Sequence, residues 1–212
     1  MTRESRPAAA RRAARRRTAA RRRRTLAWLG GGGALILALI IAMPTFRKAV
    51  NEFTLPLQYQ DVIREQAAEK HLDPALVAAV IYAETKFDPR TSAAGAVGLM
   101  QILPRTAEFL AHRSGATSFT TADLATPQVN IAYGSYYLRY LLDEYGGSKI
   151  LALAAYNGGE TNVDRWVAAA RARGRPFTID DVVFPETRAY VEKVLQAQRS
   201  YRKTYPTELG YQ

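Results

Sequence analysis

Glu84 closes an apolar run, "PALVAAVIYAE", and is followed by "SAAGAVGLMQ", which carries Ser92, Gly95, Gly98 and Gln101. A helix so apolar on every side is buried. Burial disfavours a charged carboxylate, and the negative end of a helix dipole disfavours it further. Both effects predict a raised pKa for Glu84. A carboxylic acid kept neutral near pH 7 is a general acid, able to give its proton to a leaving oxygen. The small side chains after it suit a groove floor lying against a bulky ligand, and Gly95 and Gly98 permit close backbone approach.

Glycosidases generally use two carboxyls. Asp88 is the acid nearest to Glu84 that could be a second, but Asp88-Pro89 at a helix exit reads as a turn. One carboxyl suffices if the sugar supplies the other group. A neighbouring acetamido group can stabilise the oxocarbenium-like centre. Glu84, then ionised, can take a proton from a sugar hydroxyl that closes onto the anomeric carbon, and no water is consumed.

The elements that must position these residues read as helices. Asp73 is an N-cap with Pro74 at the first helical position, and Thr126-Pro127 repeats that start. A further helix restarts at Pro104. Ser148 opens another that ends at Gly158-Gly159, and "YQDVIREQAAEK" and "ETRAYVEKVLQAQRSYRKTY" are amphipathic. No alternating run demands a strand, so residues 58–206 are expected to form one all-α domain. Residues 207–212 are expected to be a tail.

The net charge of +11 is local. Of 30 basic and 19 acidic residues, 11 arginines and Glu4 lie in residues 1–24, leaving 19 basic and 18 acidic elsewhere. Residues 1–24 lack large apolar side chains and are expected to be a disordered tail. Residues 25–43 hold an uncharged stretch, Leu26 to Met43. As a helix it would span about 27 Å, near the thickness of a bilayer core. Arginines on one side only orient the N-terminus to the cytoplasm. An uncleaved anchor fits better than a signal peptide, because no small-x-small cleavage site succeeds the apolar stretch. Residues 44–57 read as a juxtamembrane linker. Basicity confined to such a tail points to anionic lipid contact rather than nucleic acid. Absent cysteines exclude disulfides and thiolate metal sites, and His71 and His112 are too scattered for a metal centre, so no cofactor is expected.

Four ordered blocks between about Tyr59 and Tyr205 resemble the catalytic domain of lytic transglycosylases, of the soluble-lytic-transglycosylase-like group on the goose-lysozyme-like branch of the lysozyme fold. They are "AETKF", "SAAGAVGLMQILPRTA", "NIAYGSYYLRYLL", and "ALAAYNGG" with "PETRAYVEKVL". The resemblance implies cleavage of the bond between N-acetylmuramic acid and N-acetylglucosamine in peptidoglycan, leaving 1,6-anhydro ends, outside the bacterial cytoplasmic membrane. It makes Glu84 the single acid and base. It places Ser92 and Gln101 in the sugar groove, Tyr156 and Asn157 at the site, and Tyr190 near the Glu84 carboxyl. Three positions depart from the family's pattern. Thr85 stands where Ser is usual, Leu103 where Met is common, and Gly158 where Ala is usual. A lysozyme-type hydrolase, or an idle peptidoglycan-binding domain, is the competing reading.

Overall fold

The computed structural model describes residues 54–211. Helix α1 spans Gln60–Glu69 and α2 spans Pro74–Thr85. Asp73 caps α2 as its sequence predicts: its carboxylate accepts the Ala75 N–H at 2.9 Å. Every residue from Ala75 to Ile81 is buried, so α2 is the core around which the other helices are laid. Helix α3 (Pro104–Ser114) comes next, then α4 (Pro127–Glu144), α5 (Lys149–Gly158), α6 (Glu160–Ala172) and α7 (Pro185–Thr204). Helix α7 is the main neighbour of α2, and α5 packs against α4, α6 and α7. The Ser148 hydroxyl caps α5 by accepting the Leu151 N–H at 3.4 Å.

Two features depart from the sequence reading. Helix α6 starts directly after Gly158-Gly159, which reads as a stop. Gly159 at φ 83° turns the chain so that one helix ends and the next begins at the same residue, with Val163, Trp166 and Ala170 on the buried stripe. The second is a small hairpin, β1 (Arg90–Thr91) antiparallel to β2 (Val97–Gly98), with Arg90 opposite Gly98. Strands of two residues are too short to show alternation.

A buried amide fixes the segment after the hairpin. Asn130, on α4, is fully buried. Its Oδ1 accepts the Met100 N–H at 2.8 Å, and its Nδ2 donates to Val97 O at 2.8 Å and Leu124 O at 3.0 Å. Gly98 faces this amide so closely that a Cβ there would lie 2.2 Å from Asn130 Nδ2. One turn along α4, Gly134 makes room for Met100, whose Sδ would be 2.3 Å from an added Cβ.

The ends of the described chain pack onto the body. Leu55 and Leu57 lie against the core. Pro56 O accepts from the Tyr201 hydroxyl at 2.5 Å, and Leu55 O from Tyr205 at 2.9 Å. Beyond 206, Leu209 is buried and the Tyr211 hydroxyl bonds the Asp73 carboxylate. The parts of the expected linker and tail that are described, 54–57 and 207–211, therefore belong to the folded domain. The arginine-rich tail and the apolar stretch 25–43 lie outside the described residues. Among the described residues, no helix is long and apolar enough to cross a membrane.

Asn130→Ala removes three hydrogen bonds and strands the Met100 N–H and Leu124 O, while Val97 O keeps the Ile102 N–H. It is expected to lower unfolding free energy by roughly 2–4 kcal/mol, measurable by urea denaturation.

Candidate active site

Glu84 lies in the last turn of α2. Its carboxyl is enclosed deeply enough that desolvation is the largest influence on it, and its pKa is pushed up to about 7 from an ordinary 4.5. The carbonyls at this end of α2, which form the negative pole of its dipole, are covered by cations. Lys193 Nζ, on α7, donates to Ala83 O at 2.7 Å, and Arg90 Nη2 donates to Glu84 O at 3.0 Å. Arg90 Nη1 reaches Thr85 O at 3.4 Å. These charges offset the dipole and favour the carboxylate, so they act against desolvation rather than with it.

Two phenols complete the surroundings. Tyr190, on α7, is buried, and its hydroxyl faces the Glu84 carboxyl closely enough to favour ionisation. The approach falls short of a well-formed hydrogen bond, and that buried hydroxyl has no other partner among the described residues. Tyr156, on α5, donates its hydroxyl to Met100 O at 2.8 Å. Burial, and next the Glu84 charge, hold both phenols well above their ordinary pKa, so both stay neutral. Among the described residues, no second carboxylate is one of the groups that influence Glu84.

Thr85 keeps the hydroxyl function of the serine it replaces. Its Oγ1 points to Leu99 O at 2.8 Å, with Ile81 O at 3.2 Å, so it ties the end of α2 to the segment after the hairpin. Gln101 sits at φ 50°, an unusual conformation for a non-glycine residue. Its Nε2 donates to Arg90 O and Gly98 O, both at 2.8 Å, which leaves Oε1 without a protein partner among the described residues. Asn157 is exposed. Its Oδ1 accepts from the Thr187 hydroxyl at 2.8 Å, leaving the NH2 group free to donate. Gln101, Tyr156 and Asn157 line a cleft of about 210 Å³, together with Leu103, Arg105 and Tyr137.

Ser92 stands apart from that cleft. Its Oγ accepts the Ala96 N–H at 3.1 Å and its carbonyl accepts from Gly95 at 2.9 Å, so it builds the hairpin turn. Glu84 and Tyr190 also lie outside the cleft lining, and Tyr156 bridges them to it. Arg90, Lys193 and Asn130 were not singled out from the sequence. Lys193 left no signal there, being one more cation on the exposed side of an amphipathic helix. Among the described residues, no group of three or more His, Cys, Asp or Glu is placed to hold a metal.

An enclosed, protonatable carboxyl at the end of a buried helix thus stands beside a polar cleft in a helical frame. Comparison with known proteins narrows the class. The Transglycosylase SLT domain family matches residues 61–176, and the chain belongs to that family. It is 32% identical to the soluble lytic murein transglycosylase of Escherichia coli K12 over 155 residues, 71% of this chain and 24% of that protein. It is 30% identical to membrane-bound lytic murein transglycosylase C of Actinobacillus pleuropneumoniae serotype 5b over 166 residues, 68% of this chain and 46% of that protein. An inactive mutant of the lytic transglycosylase Slt of Pseudomonas aeruginosa superposes with a TM-score of 0.67 at 27% identity, covering 74% of this chain and 26% of that one. The chain thus spans about a quarter to a half of the length of these relatives.

Because the folded state resists ionising Glu84, stability declines as pH rises from 4.5, its ordinary value, through about 7. Glu84→Gln removes that penalty. The variant is expected to match the native chain below pH 4.5 and to be more stable above pH 7, by up to about 2–3 kcal/mol. Denaturation at both pH values checks the sign.

Proposed function

We propose that this chain is a membrane-anchored lytic transglycosylase of peptidoglycan. The observation that carries the reading is the enclosed acid Glu84, flanked by two neutral phenols and, among the described residues, by no second carboxylate. Such a site suits a reaction in which the substrate provides its own nucleophile.

That constraint sets the steps. Glu84, neutral, gives its proton to the bridging oxygen as the bond to the anomeric carbon of N-acetylmuramic acid breaks. The departing strand leaves with a new hydroxyl. The acetamido carbonyl oxygen of the same muramyl residue shares the positive charge at that carbon. Glu84, now a carboxylate, accepts the proton of the C6 hydroxyl. O6 bonds to the anomeric carbon, displaces the acetamido oxygen, and closes the 1,6-anhydro ring, so that Glu84 ends protonated as it began. Tyr190 and the cations at the helix end stabilise the intermediate carboxylate, and burial restores the neutral acid. An effective acid–base group is poised near the operating pH, which a pKa of about 7 satisfies.

Gln101 Oε1 and the Asn157 amide, both open to the cleft, are assigned to sugar hydroxyls and acetamido groups. Tyr156, in the cleft lining, is assigned to the sugar, Tyr190 faces the acid, and Ser92 shapes the hairpin and offers its hydroxyl hydrogen to the strand. For localisation, residues 25–43 anchor the chain, with 1–24 on the cytoplasmic side and the enzyme domain outside. The relative from Actinobacillus is described as membrane-bound and that from Escherichia coli as soluble.

Mass spectrometry of released muropeptides tests the reaction. Products one water lighter than those of hydrolysis are expected, and a reducing end would instead support the lysozyme-type reading. Glu84→Gln is expected to lower turnover by about 10²–10⁴-fold while the domain stays folded.

A further inference from the structure

Three cations stand around the exit of α2: Lys86 at its C-cap, Arg90 on β1 and Lys193 on α7. None has a carboxylate within ion-pair distance among the described residues. Elsewhere cations do find acids, as in Arg139 with Asp143 and Arg175 with Asp181, each at 2.5 Å. Glu84 is the acid whose charge reaches Lys193, and a working general acid is neutral when substrate binds. Asp88 and Glu192, the other acids on these segments, are exposed and make no ion pair among the described residues.

The cluster is held open. Lys193 uses one of its three N–H groups on Ala83 O, and Arg90 uses two of its five on Glu84 O and Thr85 O. The Lys86 ammonium makes no hydrogen bond among the described residues. Anchoring to backbone carbonyls fixes where the heads of Lys193 and Arg90 sit, and all three side chains are exposed. Lys86 and Arg90 also disfavour the charged form of Lys193, after burial of its amine. An anion seated among them would relieve that repulsion and take up the unused donors.

We propose that Lys86, Arg90 and Lys193 form a subsite for a carboxylate borne by the muramyl residue that is being cleaved. The proposal rests on the peptidoglycan reading above and adds to it what part of the strand is read. The chemistry is specific. Glu84 has to reach the anomeric oxygen of a muramyl residue, and that residue carries a lactyl ether ending in a carboxylate, or in a peptide that bears carboxylates. The anionic group is therefore attached to the same sugar that must lie against Glu84, and the cations stand at the end of the helix that carries that acid.

Binding to the full chain carrying Glu84→Gln tests this without turnover. Three soluble strands are compared by calorimetry: peptide-bearing with free carboxylates, the same with carboxylates amidated, and peptide-stripped with free lactyl carboxylates. Amidation is expected to weaken binding roughly fivefold to tenfold, the scale of a charge-assisted contact at a partly exposed site. Adding Lys86→Asn, which tolerates the left-handed conformation at φ 54°, should bring the free-carboxylate strand down towards the amidated one. It should leave the amidated strand unchanged. Tight binding of stripped strands assigns the lactyl carboxylate, and weak binding assigns the peptide's; either supports the subsite. Equal affinity for all three strands, or equal loss from all three on Lys86→Asn, overturns the subsite alone. Failure to bind any strand overturns it together with the peptidoglycan reading.

Discussion

The four residues from Leu99 to Ile102 are where the helices of this domain are tied together, and the site depends on how they are held. Leu99 O takes the Thr85 hydroxyl from α2. The Met100 N–H is bound by Asn130 of α4, and Met100 O takes the Tyr156 hydroxyl from α5. Gln101 reaches back to Arg90 and Gly98 across the hairpin. Ile102 pairs with Val97 through both backbone groups, at 2.9 and 3.0 Å. One irregular segment thus satisfies polar groups from three helices and a hairpin. A buried junction of this kind tolerates little change, since an unpaired backbone group in its interior costs as much as the bonds it loses.

That junction explains an electrostatic compromise. In the proposed reaction Glu84 has to be enclosed enough to hold a proton near neutrality and yet be able to release it. Burial alone would raise the carboxyl's pKa with nothing to oppose it. Lys193, Arg90 and Tyr190 each favour the anion and bring the balance to about 7. Arg90 is placed by the hairpin and its backbone is gripped by Gln101, so the residue assigned to bind sugar also locates a cation that tunes the acid. Fold and chemistry meet in the same hydrogen bonds.

Much of this was legible in residue order. The caps at Asp73 and Ser148, the uniformly apolar α2 and the carboxyl on its last turn are local features. Asn130 and Gly134 stand inside one of the four family-like blocks, but their reason is tertiary: an amide that fits beside Gly98, and a gap that admits Met100. The hairpin was hidden because two-residue strands carry no period. Helix α6 was hidden because Gly158-Gly159 looks like an end when it is also a beginning. Lys193 was beyond reach of the sequence, since what makes it matter is a carbonyl 110 positions away, on Ala83. The cations that cover the last carbonyls of α2 were hidden for the same reason, because they arrive from other segments.

The proposed mechanism turns on one proton. A carbon-13 NMR titration of the Glu84 side-chain carboxyl in the folded chain, assigned by its disappearance in Glu84→Gln, measures that proton directly. A midpoint close to 7 is predicted, whereas a midpoint near the ordinary 4.5 would contradict the mechanism and remove Glu84 as the neutral acid.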